Sequence, residues 1–335
     1  MPIRFRHLVS IGAALVFLLS GRLSGDQRYL CVPCPSGTWE LGARALYFTP
    51  MTCPYAYATV FRDTEAATRK GRAQLIPCRA DWGFRISGDY REGCTFVTLS
   101  YQWLDVSTTR SLVTADNVIV QGGILNVFGP GTATGQTGFE YQNAGIQLGT
   151  HLLHGCRALV YLYGDARWVD LTYRRAARST ITGGIAATAF NQSEEKSALE
   201  GGAIGIGLGG RVDLGCDVGA FMDSTLLGVI GRRSIKRARF RSRDATSPVS
   251  ERTEFYPAEV CVIPEADLRI GLSYTAGCGS CKWVAEIGYE FDYFWQGAVF
   301  PDFTNAGLVE DPADYVPVCQ DVGFAGLFFG TRLTF

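Results

Sequence analysis

Four Gly-Cys pairs recur along this chain, at Gly93-Cys94, Gly155-Cys156, Gly215-Cys216 and Gly277-Cys278. Their cysteines are spaced 62, 60 and 62 residues apart. Each pair sits in a short gap between two stretches in which apolar and polar residues alternate. Alternation with period two is the signature of a half-buried strand. A chain that returns to the same kind of tight turn every two strands is a meander of hairpins, and the even spacing reads as regular topology rather than duplication.

Ten alternating stretches satisfy this pattern: 39–47, 82–90, 97–103, 144–150, 160–168, 204–214, 218–230, 266–274, 285–293 and 327–335. Each has about the length that a tilted strand needs to cross a bilayer, roughly 9–11 residues. One face is apolar throughout. The other carries Arg85, Asp165, Arg167, Arg211, Asp213, Glu265, Asp267, Arg269, Glu286, Glu290 and Arg332, with many glycines between them. A small soluble barrel would turn an apolar face inward. Fixed charges on the second face fit lipid outside and water inside, so these charged residues are expected to line a lumen. The fold expected is therefore all-β, a transmembrane antiparallel up-and-down barrel of about ten strands. Apolar residues make up 47% of the chain and glycines number 40, which suits such a wall.

The gaps alternate. Long ones (49–81, 105–138, 174–197, 231–259, 296–321) are read as outside loops, and short ones (91–94, 151–157, 215–216, 275–282) as periplasmic turns. This puts both ends of the barrel on the periplasmic side, as an even strand number requires. Val118-Ile119-Val120 lies inside a long gap and would make twelve strands if it added a hairpin.

The ends support export. Arg4, Arg6 and His7 precede an apolar run from Leu8 to Leu19, followed by the small residues Gly21, Ser24 and Gly25. That is the layout of a secretory signal peptide, and the run is too short to span a membrane as a helix. The expected division is 1–25 signal peptide, 26–37 periplasmic segment and 38–335 barrel. At the other end, Gly330, Leu333 and Phe335 belong to an alternating terminal strand with a final aromatic, the form read as an insertion signal for the barrel-assembly machinery. Outer-membrane lipid and lipopolysaccharide are the other expected partners. Without Arg4, Arg6 and Arg22 the chain has 28 basic and 32 acidic residues, a balance that excludes general nucleic-acid binding.

Eleven cysteines in an exported chain point to disulfides, and the odd number leaves at least one for another role. Cys31, Cys34, Cys94, Cys156, Cys216, Cys278 and Cys281 fall on the periplasmic side, where they are expected to cross-link the rim or join neighbouring envelope proteins. Cys53 and Cys78 form a candidate loop staple; Cys261 and Cys319 also fall outside. Cys31-Val32-Pro33-Cys34 and Cys278-Gly279-Ser280-Cys281 have zinc-ligand spacing, but the oxidising compartment favours disulfides. Segment 232–243 is basic and is read as part of an outside loop. Arg237, Arg239, Arg241 and Arg243 share one face if it is extended, and they are either a solvated charge run, an anion-attracting pore mouth or a ligand surface for phosphate or sulfate groups. Beyond the leader only His151 and His154 remain. Both fall in a short turn and are read as solvated, so no catalytic dyad and no cofactor is expected.

Ala45-Leu46-Tyr47-Phe48-Thr49-Pro50, Trp82-Gly83-Phe84-Arg85 through Trp103, Gly209-Gly210-Arg211-Val212-Asp213, Gly288-Tyr289-Glu290-Phe291 through Gln296, and Gly323 to Phe335 resemble the pore-forming, major-outer-membrane-protein-like family of Legionella and Chlamydia-like bacteria. Their order and spacing carry the resemblance. It implies a porin-like barrel, passive passage of small hydrophilic solutes and no catalytic residues. The cysteine content is similar to that of chlamydial envelope proteins. The alternative is a structural or adhesive barrel that acts through its surface loops.

Overall fold

The computed structural model describes residues 37–52, 55–61, 71–115, 117–120, 130–155, 157–182, 190–242, 250–278, 281–301 and 317–335. The signal peptide and periplasmic segment inferred above fall outside these residues, apart from Gly37. The strands are β1 (Thr38–Pro50), β2 (Tyr55–Phe61), β3 (Gly71–Ile76), β4 (Asp81–Glu92), β5 (Thr95–Thr114), β6 (Asn117–Val120) and β7 (Gly131–His154). They continue as β8 (Ala158–Ile181), β9 (Phe190–Gly215), β10 (Val218–Ser242), β11 (Ser250–Cys278), β12 (Cys281–Pro301) and β13 (Pro317–Thr334). Ten of them close an antiparallel barrel in the order β1-β13-β12-β11-β10-β9-β8-β7-β5-β4. The expected ten strands are all present. Val118-Ile119-Val120 does form a strand, β6, but it joins β2 and β3 in a separate three-stranded sheet and adds nothing to the barrel. No helix among the described residues is long and apolar enough to cross a membrane.

The barrel closes between its first and last strands. β1 runs against β13 from the Glu40–Thr334 pair to the Pro50–Phe324 pair. Beyond that register, Trp39 and Phe335 exchange both backbone hydrogen bonds, at 3.0 and 2.9 Å. Deleting Phe335 removes both bonds and an apolar side chain that faces lipid. We expect the heat-modifiable, folded band in outer-membrane fractions to fall several-fold for that variant, while total synthesis stays level. At the periplasmic end the connections are tight. Cys216 and Asp217 both have positive φ, 54° and 63°, the backbone of a two-residue hairpin turn whose twist matches its strands.

Within the membrane the alternation holds as expected. Leu41, Ile86, Leu99, Ile204, Ile206, Leu226 and Phe329 face outward, and Ile206 is 68% exposed. In water such a surface would aggregate; in lipid it is the stabilising contact. Trp39, Tyr90, Trp283 and Tyr274 ring one margin, and Tyr47, Trp82, Trp103 and Trp168 the other.

Two features differ from the sequence reading. First, the strands run far beyond the bilayer. β9 has 26 residues and β11 has 29. A strand of 26 residues spans about 85 Å, or about 60 Å when tilted, against roughly 30 Å of hydrocarbon. Most of the expected outside loops 174–197 and 231–259 are in fact strand. The basic run is the upper half of β10 rather than a loop.

Second, the two faces exchange character as the wall leaves the membrane. Along β8, Leu162 and Trp168 face out while Asp165 and Arg167 face in; above them Val169, Leu171 and Tyr173 are buried inside and Arg174 and Arg178 are exposed outside. β1 and β5 change over with Leu46 and Phe48, and with Leu104 and Val106, all buried. The cause is solvent. Above the bilayer the outer face meets water, so the inner face must supply the core.

That core fills the extracellular half of the lumen. Leu46, Phe48, Leu104, Phe139, Tyr141, Leu171, Tyr173, Leu199, Phe294, Phe324 and Phe328 belong to one buried cluster. The polar interior that was expected is therefore confined to the periplasmic half. β12 bends inward to complete the plug. It pairs with β11 only from Glu265 to Cys278, shifts register between Phe294 and Ala298, and buries Ala298, Val299 and Phe300. The Val299 amide donates to Ser197 Oγ across the lumen, at 3.1 Å. The three-stranded sheet packs Tyr55, Tyr57 and Ile76 against Ala133 and Ala177. The Arg175 guanidinium lies over the rings of Phe300 (3.4 Å), Tyr173 (5.0 Å) and Tyr55 (5.3 Å). Burial, reinforced by the Glu195 carboxylate, pushes the Tyr55 hydroxyl well above its ordinary pKa.

Candidate functional site

Beneath the plug the inward face is polar. A cavity of about 90 Å³ is bounded by Arg44, Arg91, Arg211, Arg332, Asp89, Asp223, Ser87, Thr98 and Gln147 among others. Its walls are an ion ladder that crosses from strand to strand. Arg44 meets Glu286 at 2.9 Å, and Arg332 meets the same carboxylate at 2.6 Å and also bonds Glu40. Arg91 reaches Glu40 at 3.2 Å. Higher up, Arg85 bonds Glu290 (3.0 Å from Nη1 to Oε2) and Gln102, and Arg269 stands 3.8 Å from Glu290. Arg167 serves three carboxylates: Asp165 at 2.6 Å, Glu265 at 3.1 Å and Asp267 at 3.7 Å.

Several lumen glycines lie under aromatic rings. A Cβ on Gly207 would stand 2.2 Å from the Tyr163 ring, and one on Gly209 would stand 2.3 Å from the Tyr161 ring. The two tyrosines lie flat over these glycines. Their hydroxyls reach across to Asp223 and, at 2.8 Å, to Thr225. The small residues make room for aromatic rings.

Nearly all the expected lumen residues meet here. Arg85, Asp165, Arg167, Glu265, Asp267, Arg269, Glu286 and Glu290 are members of the ladder, and Arg211 borders the cavity. Asp213 does not join them. It is exposed at the periplasmic turn, where its carboxylate accepts from the Gly215 amide at 2.8 Å. Glu40, Arg44 and Arg91 join the ladder without standing among the expected lumen residues, although Glu40 and Arg44 alternate with the lipid-facing residues of β1. His151 is also placed differently: it stacks on Phe96 at 5.8 Å and borders the cavity rather than standing in a solvated turn. His154 ends β7.

Arg237 is buried inside the upper barrel, 3.7 Å from Glu195, and is not at a pore mouth. Arg239 and Arg241 continue β10, and Arg243 falls outside the described residues. Cys94, Cys216 and Cys281 are exposed at the periplasmic turns, and Cys278 is the register partner of Cys281. Cys78, Cys261 and Cys319 lie at the extracellular end. Cys31, Cys34, Cys53 and Cys156 are outside the described residues, and no disulfide is seen among the described ones. The Cys53–Cys78 staple is therefore not visible.

Comparison with known proteins places this barrel among outer-membrane proteins. A family model described as the Legionella pneumophila major outer membrane protein precursor matches residues 31–335. No curated protein matches the chain. Among solved structures, the outer membrane protease OmpT from Escherichia coli is similar at 8% identity, with 93% of this chain and 99% of that one covered and a TM-score of 0.39. A Pseudomonas aeruginosa FadL homologue is similar at 7% identity, with 90% of each chain covered and a TM-score of 0.27. The Pseudomonas putida toluene transporter TodX is similar at 8% identity, with 90% and 89% covered and a TM-score of 0.26.

Proposed function

The chain belongs to the family of the Legionella pneumophila major outer membrane protein, an outer-membrane β-barrel of a Gram-negative bacterium, and from that premise we propose that it is a channel for small hydrophilic solutes held shut by its apolar plug. The observation that carries this reading is the polar cavity in the membrane-spanning half. Buried ion pairs seldom stabilise a fold more than well-packed apolar residues of the same volume would. A barrel that needed only to stand in the membrane would fill that space with leucine. Charged and hydroxyl groups line a cavity that rises to Asn143, Arg167 and Asp267, below the plug.

The second reading is a structural barrel that acts through its extracellular wall. Its support is the plug itself, together with a wall that stands about as tall outside the bilayer as within it. Single-channel recording of refolded protein separates the two. A channel shows conducting events once the plug is loosened; a structural barrel stays silent after the same change.

We also propose that the exposed rim thiols join the protein to the cell envelope. Cys94, Cys216 and Cys281 all stand at periplasmic turns, in a compartment that permits disulfides. On non-reducing gels of whole envelopes the protein is expected in bands well above the monomer, collapsing on reduction. Replacing the three with serine should shift it toward monomer, and a ladder indifferent to reduction ends this idea.

A further inference from the structure

Just below the plug the charges do not balance. Five carboxylates, Asp165, Glu265, Asp267, Glu290 and Asp292, are each at most 5% exposed. The guanidiniums that contact them are Arg85, Arg167 and Arg269, so two negative charges are left over. The lower layer differs: Arg44, Arg91 and Arg332 are interleaved with Glu40 and Glu286. The excess is also local. Asp267 stands directly opposite Asp292 in the β11–β12 register, with Glu290 and Glu265 beside them on the same inner face. Carboxylate oxygens of Asp267, Glu290 and Asp292 lie within 4.8 Å of one another.

Among the described residues two buried carboxylate oxygens here have no hydrogen-bond partner, Asp292 Oδ1 in the cluster and Glu265 Oε2 beside it, and both belong to residues that are 1% exposed. Among the described residues Asp292 receives one distant donor, Gln102 Nε2 at 3.5 Å. The fully buried Phe294, against which Tyr141 packs edge-on at 5.5 Å, closes the site from above. Clustered carboxylates in so dry a place repel each other strongly unless a positive charge joins them.

We propose that Asp267, Glu290 and Asp292 hold a divalent cation at the base of the plug, with Glu265 beside them. All the donors are carboxylate oxygens, with no sulfur or imidazole among them, so the ion is a hard one, calcium or magnesium. An ion with metal–oxygen bonds of about 2.0–2.6 Å bridges oxygens at these separations and supplies the two missing charges. It also ties β11 to β12 two residues before their pairing ends at Glu265 and Phe294. The site stands whether or not the barrel conducts.

The test uses the full-length barrel refolded into detergent without lipopolysaccharide, which itself binds these ions. Refolding is done with calcium, with magnesium or with EDTA, and loosely held ions are removed by gel filtration. Wild type is expected to retain one calcium or magnesium ion per chain and to melt at a higher temperature than the EDTA-refolded protein. Asp292→Asn and Asp267→Asn should each retain none and melt at a temperature indifferent to EDTA. Both remove an excess charge, so both should fold. Glu251→Gln, on the exposed outer wall, should retain the ion. Wild type without bound metal and with a melting temperature indifferent to EDTA would overturn the proposal and leave two protons as the neutralising charges. Retention by both Asn variants equal to wild type would overturn it as well, by placing the ion elsewhere.

Discussion

Replacing Arg167 with methionine is expected to destabilise the barrel by about 3–5 kcal/mol, the range seen when one partner of a buried ion pair is removed. Arg167 is 8% exposed and contacts Asp165, Glu265 and Asp267. Methionine fills much of the volume but leaves those three carboxylates facing one another in a dry site. The loss should appear as a lower urea midpoint for unfolding from detergent micelles. The control is the same replacement in an Asp165→Asn, Glu265→Gln, Asp267→Asn background. There Arg167 is itself a buried charge without an anion, so the same replacement should cost nothing or stabilise the barrel. An equal penalty in both backgrounds would mean that Arg167 acts by volume and not by charge.

Truncating Phe324 should cost a similar amount and also change what the barrel passes. Phe324 is fully buried, stacked on Tyr141 at 5.4 Å and set edge-on to Phe139 at 5.8 Å. Phenylalanine-to-alanine changes in well-packed cores lose about 3–5 kcal/mol. The cavity they leave here would lie in the apolar layer directly above the polar cavity. We expect wild type to be nearly silent in a planar bilayer, and Phe324→Ala with Phe139→Ala to show discrete conducting steps. If the pair proves too unstable to refold, Phe294→Ala opens the same layer from β12. A folded plug variant that stays silent would favour the structural barrel.

The membrane-spanning half was legible in the sequence because lipid enforces one rule on every strand. Ten strands, their register toward lipid and most of the ion ladder follow from alternation alone. Above the bilayer the rule reverses, and that is where the reading stopped short. Trp168 and Val169 are consecutive apolar residues, and with Leu171 and Tyr173 beyond them the apolar series changes face. Taken as a strand end, that slip hides the rest of β8; taken as a change of solvent, it extends the strand. The same slip recurs on β5 between Trp103 and Leu104. The inward bend of β12 left no such trace, because it depends on Gln296 adopting φ of 56° and on contacts with β9 that are distant in sequence. The cation site was half legible: Glu265, Asp267 and Glu290 stood out as inward charges. Their imbalance shows only when the arginines of β4, β8 and β11 are seen to reach them.

The change of face along the wall also acts as a waterline. If the barrel sank by a few rungs, Arg174, Lys196 and Lys236, exposed and adjacent on β8, β9 and β10, would enter hydrocarbon at up to about 2–4 kcal/mol each. If it rose, Trp168, Ile204 and Ile230 would surface. The protein's draught is thus written into its strands. A thinner or thicker bilayer must deform to meet it, which makes the barrel a gauge of the membrane around it.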